Sequence, residues 1–155
     1  MPAAELRTNV FDDDPTVTRL DQTAAELLGK EAALFVSSGT QGNAVSLLSQ
    51  TNRGEAIIMS RICHIADHEA GSYAMLSGVS PCYPAEDAGV MHPAAIADLI
   101  QDGGEYREAK TGLICLENGL SNGNVAPVEN FRAISELARE RRIPVHLDGA
   151  GIFHG

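Results

Sequence analysis

Positive charge is scarce in this sequence. Eleven Lys and Arg stand against twenty-one Asp and Glu, a net charge of −10. A duplex nucleic-acid surface needs clustered Lys and Arg, and an anionic bilayer attracts polybasic segments. Neither partner fits this composition. Long apolar runs are missing as well: nothing approaches the roughly 20 residues of a spanning helix. The opening stretch "MPAAELRTNVFDDD" has no charged-then-apolar signal pattern. Cysteine is sparse. Cys63, Cys82 and Cys115 are odd in number and widely spaced, which predicts reduced thiols in a cytoplasmic protein rather than a disulfide framework. Cys115, inside "LICLE", reads as a small buried core residue more readily than as a nucleophile.

What is present suffices for one domain with a real core: 155 residues, 44% of them hydrophobic. The pattern alternates helix and strand. Asp14-Pro15 is a helix start, Val17, Leu20, Ala24, Leu27 and Leu28 form an apolar stripe, and Gly29 ends it. "AALFVS" (32–37) predicts a strand, and Ala44, Leu47 and Leu48 a helix behind the "SGTQGN" loop. "AIIMS" (56–60) is a second strand, followed by a short helix around 67–73. "VSPCY" (79–83) is a third, with Pro81 suggesting an edge. Pro93 opens a helix carrying Ile96, Leu99 and Ile100. "GLICLE" (112–117) is a strand, Phe131, Ile134 and Leu137 mark a helix of about fourteen residues, and "VHLD" closes the series. Apolar strands alternating with helices imply a mainly parallel sheet covered on both faces, an α/β fold. In such sheets ligands bind where the strands end.

Those ends collect small, polar and ionisable residues: "SSGTQGN", "RICHIADHE", "ENGLSNGN" and "DGAG". "SGTQGN" is a candidate phosphate cradle. Amides of Gly39, Thr40 and Gln41 at a helix start, with the Thr40 hydroxyl, would face an anion. It is neither a Walker loop nor a GxGxxG fingerprint, and a plain Ser/Thr helix cap is the competing reading. Asp148 ends an apolar strand, so its carboxylate needs a partner: a cationic ligand group, a metal or a backbone cap. His146 shares its face. His64 and His68, spaced i, i+4, would complete a metal set with Asp148, but "HIADH" lacks the Glu of HExxH.

Four stretches in register give a more specific signal: "DDDPTVTRLDQTAAELLGKEAALFVSSGTQGN", "CHIADHEAGS", "LICLENGLSNGNVAPVENF" and "IPVHLDGAGIF". Together they resemble the L-threonine aldolase and aromatic beta-eliminating lyase family of fold type I enzymes. That resemblance implies part of the large domain of a pyridoxal 5'-phosphate enzyme. Gly39 and Thr40 would hold the phosphate, His64 would stack on the pyridine ring, and Asp148 would pair with the ring nitrogen; His64 and Asp148 are the catalytic candidates. The implied reaction is cleavage of L-threonine or L-allo-threonine to glycine and acetaldehyde. The implied partners are a small amino-acid substrate and further copies of the chain, as a homodimer or homotetramer. Alternatives are a degenerate, non-catalytic relative, or a fold type I lyase or aminotransferase of other specificity.

The sequence departs from the family pattern at named positions. Gly151 stands where the family carries an Arg, Leu120 where many relatives have a His, and Phe11 where a Tyr is usual. Lys30 and Lys110 are the only lysines, each at the wrong end of a strand to link to the cofactor. The family's lysine falls after residue 155. The resemblance thus implies a single, incomplete large domain, with 1–14 as an N-terminal segment and 15–155 as the α/β core, unable to complete the reaction alone.

Overall fold

The longest strand, Thr111–Glu117 (β5), is buried at six consecutive positions, as expected for the middle of a sheet covered on both faces. In the computed structural model, which describes residues 5, 7, 8 and 14–153, β5 lies within the second of two units, Ser38–Gly155. Its neighbours are Ala56–Ile58 (β1) and Val145–Asp148 (β6), both parallel to it. Ser80–Cys82 (β2) pairs with β1, giving the order β2-β1-β5-β6. Pro81 therefore sits on an edge strand, where its missing N–H costs no ladder bond.

Successive strand residues point to opposite faces and build two cores. Ile57, Met59, Leu113 and Cys115 pack with Leu47 of Gly39–Gln50 (α2) and Ile65 of His64–Asp67 (α3). Ile58, Ile114 and Leu116 pack with Ile96 of Pro93–Leu99 (α4) and with Ile134 and Ala138 of Val128–Arg141 (α5). The 14-residue length of α5 matches expectation.

The helix expected around 67–73 is displaced. The turns of α3 end at Asp67, and left-handed Ala70 and Gly71 (φ 52° and 72°) break the run before a π-helical turn forms at Tyr73–Ser77. A small hairpin goes unannounced in the sequence: Glu86–Asp87 (β3) pairs with Val90–Met91 (β4) across Ala88-Gly89, both at positive φ.

In the first unit, Met1–Ser37, Pro15–Leu28 (α1) forms as expected. Asp14 caps it by accepting from the Thr16 and Val17 amides, and Gly29 closes it at φ 61°. The strand expected at 32–37 does not form. Apolar composition supplies only a preference, whereas a strand needs a neighbour for its amides and carbonyls. Among the described residues no strand pairs with 32–37, and Leu34 and Phe35 are exposed.

Candidate active site

Strands β5 and β6 deliver Glu117 and Asp148 side by side, as register partners at their C-terminal ends. Helix α2 reaches the same place from one side. Its buried Asn43 donates from Nδ2 to Asp148 Oδ2 at 2.9 Å and to Glu69 Oε1 at 2.7 Å. The other oxygen of Asp148 accepts the Ala150 amide at 3.1 Å. Asn43 Oδ1 meets His146 Nε2 at 2.9 Å. His64, first residue of α3, sets its Nδ1 2.8 Å from Glu69 Oε1. Its own amide donates to Glu117 Oε2 at 2.6 Å. Of the sequence-predicted residues, His64 and Asp148 thus share one network, joined through Asn43 and Glu69.

Charge in this network follows from burial. The Glu69 side chain is only 1% exposed, so it depends on its three donors: Asn43, His64 and, at 3.2 Å, the Ser72 hydroxyl. Burial raises the Glu117 pKa, and the adjacent Asp148 charge adds to the rise; the His64 amide opposes it. Burial lowers the His146 pKa below its ordinary value of 6.5, against the pull of Asp148 and Glu69.

The His146 shift has a measurable sign. Below pH 6.5 the unfolded chain takes up a proton that the folded chain resists, so stability falls as pH drops toward the lowered folded value. We expect His146→Gln to reduce the loss of urea midpoint between pH 7.5 and 5.5 relative to wild type. An equal loss in both proteins would contradict this assignment.

The start of α2 corrects one expectation. Ser38 Oγ caps the Gln41 amide at 3.1 Å, so that amide is taken. Gly39 and Thr40 are the first two helical residues, and their N–H groups have no acceptor within the helix. A Cβ added at Gly39 would meet nothing within 4 Å. Gly39 and Asn43 are spaced i, i+4, so the helix start lies about 6 Å along the axis from Asn43, on the same face.

Other expected residues fall elsewhere. His68 lies with its ring centroid 5.3 Å from that of His64 but is half exposed beside Asp67. Cys63 and Cys115 are buried core thiols; desolvation pushes the Cys63 pKa up to about 12 and raises that of Cys115, which suits neither as a nucleophile. Lys110 precedes β5 at the N-terminal edge of the sheet, with Nζ 4.0 Å from Glu55. Leu120 is buried, and a Cβ at Gly89 would press on it. At Gly151 a Cβ would come within 2.8 Å of the Gly119 backbone nitrogen, so the 118–119 backbone fills the space where an Arg side chain would leave the chain. Phe11 lies outside the described residues.

Sequence reasoning missed Asn43, Glu69 and Glu117. The available signals were the Glu that ends "LICLE" and the Glu next to two small residues in "DHEAG".

Comparison with known proteins gives this arrangement a context. The family model for beta-eliminating lyases matches residues 1–154. The low specificity L-threonine aldolase of Escherichia coli K12 is 42% identical over 156 residues, covering 99% of this chain and 46% of its own length. A probable low-specificity L-threonine aldolase of Arabidopsis thaliana is 39% identical, covering 99% and 45%. The chain therefore spans a little under half the length of these relatives. Two solved structures share the fold. One is the threonine aldolase of Leishmania major (TM-score 0.73, 24% identity, 83% of this chain and 38% of that one). The other is a candidate L-allo-threonine aldolase of Listeria monocytogenes (TM-score 0.82, 21% identity, 97% and 41%). The chain belongs to the beta-eliminating lyase family.

Proposed function

We propose that this sheet edge binds pyridoxal 5'-phosphate and serves the cleavage of β-hydroxy amino acids, L-threonine or L-allo-threonine, to glycine and acetaldehyde. The observation that carries the reading is the Asp148 carboxylate, held by Asn43 in one network with the ring of His64 and one helical turn from the open start of α2. The donor set suits the cofactor. Gly39 and Thr40 offer amides for a phosphate at the positive end of a 12-residue helix. The His64 side chain is 41% exposed, leaving part of its ring available for stacking. Asn118 Oδ1, one residue past Glu117, is buried without a partner among the described residues, an acceptor left for a ligand donor.

When bound, the cofactor supplies an electron-accepting ring to the substrate α carbon. The chain's own part is to hold and charge it. The carboxylate of Asp148 keeps a proton on the ring nitrogen, His64 orients the ring, and Gly39 and Thr40 fix the phosphate. The reading includes a small amino-acid substrate and assembly into homodimers or homotetramers. In the described residues no helix is long and apolar enough to cross a membrane.

The test is direct. The complete gene product with pyridoxal phosphate should release acetaldehyde and glycine from L-threonine or L-allo-threonine, and do so faster than it consumes serine or tryptophan. Cofactor binding without acetaldehyde from either substrate would overturn the aldol reading. It would favour another specificity in the family, which the crowding at Gly151 also permits.

A further inference from the structure

We propose that Glu69 is the positioning residue of this site: with Asn43 it locks His64 in the Nδ1–H form and ties that ring to the Asp148 carboxylate. The role toward the cofactor rests on the function proposed above; the ring assignment does not.

A glutamate has no reason to be buried unless donors surround it. The chain supplies three, from three places. Asn43 comes from α2, His64 from the start of α3, and Ser72 from the turn that follows left-handed Ala70 and Gly71. An ionised carboxylate only accepts. The 2.8 Å contact therefore requires the hydrogen on His64 Nδ1, and in the neutral ring Nε2 carries the lone pair. The same logic orients Asn43. Two carboxylates sit on one side of its amide, at 2.7 and 2.9 Å, so both are met by the NH₂ group. Its oxygen is left for His146, and the 2.9 Å contact makes His146 Nε2 a donor. The two histidines must then hold opposite tautomers.

This coupling does more than fill space. Rotating the His64 ring would strip a donor from Glu69, whose side chain is 1% exposed, so water is poorly placed to replace it. Moving Asp148 would take one of the two acceptors from the Asn43 amide. The groups assigned to the ring face and the ring nitrogen are thereby fixed relative to each other before any ligand arrives, which is what preorganisation requires.

Long-range proton–nitrogen spectra of the imidazoles, recorded without cofactor at pH 8.5, about two units above the usual histidine value, test the assignment. His64 should show a protonated Nδ1 and a bare Nε2, and His146 the reverse. Glu69→Gln can keep its amide oxygen toward Asn43 and His64 and turn its NH₂ to the Ser72 hydroxyl, so it should preserve the Nδ1–H form, whereas Glu69→Leu removes the acceptor and His64 should move toward the Nε2–H form. Wild-type His64 in the Nε2–H form, or an unchanged His64 tautomer in a folded Glu69→Leu protein, overturns the proposal. The wild-type spectrum decides the tautomers even if the variant fails to fold.

Titration with pyridoxal phosphate separates the two readings. Glu69→Leu should weaken binding about fivefold, the size of one net hydrogen bond. An unchanged affinity, with Asp148→Ala still weakening it, overturns the positioning role and leaves the cofactor site standing. Absence of binding by wild type overturns the cofactor site itself.

Discussion

Replacing Asp148 by Ala should raise the dissociation constant for pyridoxal phosphate by about 10- to 100-fold. A hydrogen bond to a charged group is worth about 1.5–3 kcal/mol, and each 1.4 kcal/mol is tenfold in affinity. Two things are lost together. The ring nitrogen loses its anionic partner, and Asn43 Nδ2 loses one of its two acceptors. Asp148→Asn separates these effects: the shape stays, the charge goes, and the affinity should still fall. Fluorescence titration reads the constant, and a urea curve at the same pH shows whether the fold has suffered. Full affinity in Asp148→Ala would mean that the nitrogen is paired elsewhere.

The second large effect concerns stability. Ile114→Ala should cost about 3–4 kcal/mol, within the 2–5 kcal/mol usual for emptying a buried isoleucine site. Ile114 is fully buried in β5, between β1 and β6, against Ile96 and Ile134 from two helices. Both flanking strands and both helices would have to shift to close the cavity, which puts the cost in the middle of that range. Val45→Ala, on the exposed side of α2, should stay within about 0.5 kcal/mol. Urea midpoints at constant slope compare the two. A loss below 1 kcal/mol for Ile114→Ala would show that β5 is not the packed centre of the sheet. The loss should also reach the site, because the residue after β5, Asn118, donates its amide to the Asp148 carbonyl at 3.0 Å.

Much of this was legible in the sequence, for physical reasons. An aspartate at the end of an apolar run marks a strand end wherever the run sits in the sheet, so Asp148 stood out. Pro81 marked an edge because it lacks an N–H. Periodic apolar residues placed α4 and α5 because their buried stripes face a core. Glu69 was not legible. Its burial depends on Asn43, 26 residues away, and on a chain reversal at Ala70 that side-chain chemistry does not announce. The strand expected at 32–37 failed for a related reason. Its composition states a preference, but strand neighbours decide, and no strand pairs with it among the described residues. The hairpin Glu86–Met91 is too short, at two residues a strand, to show a period.

One structure would test the central claim most directly: the protein crystallised with pyridoxal phosphate. The phosphate is expected on the Gly39 and Thr40 amides, the ring against His64, and the ring nitrogen within hydrogen-bond distance of the Asp148 carboxylate. The opposite edge offers a real alternative for an anion, a cavity of about 570 Å³ lined by Lys110, Arg141 and Arg142 among others. Cofactor found in that cavity, or bound with its ring nitrogen turned away from Asp148, would contradict the assignment of this sheet edge as the cofactor site.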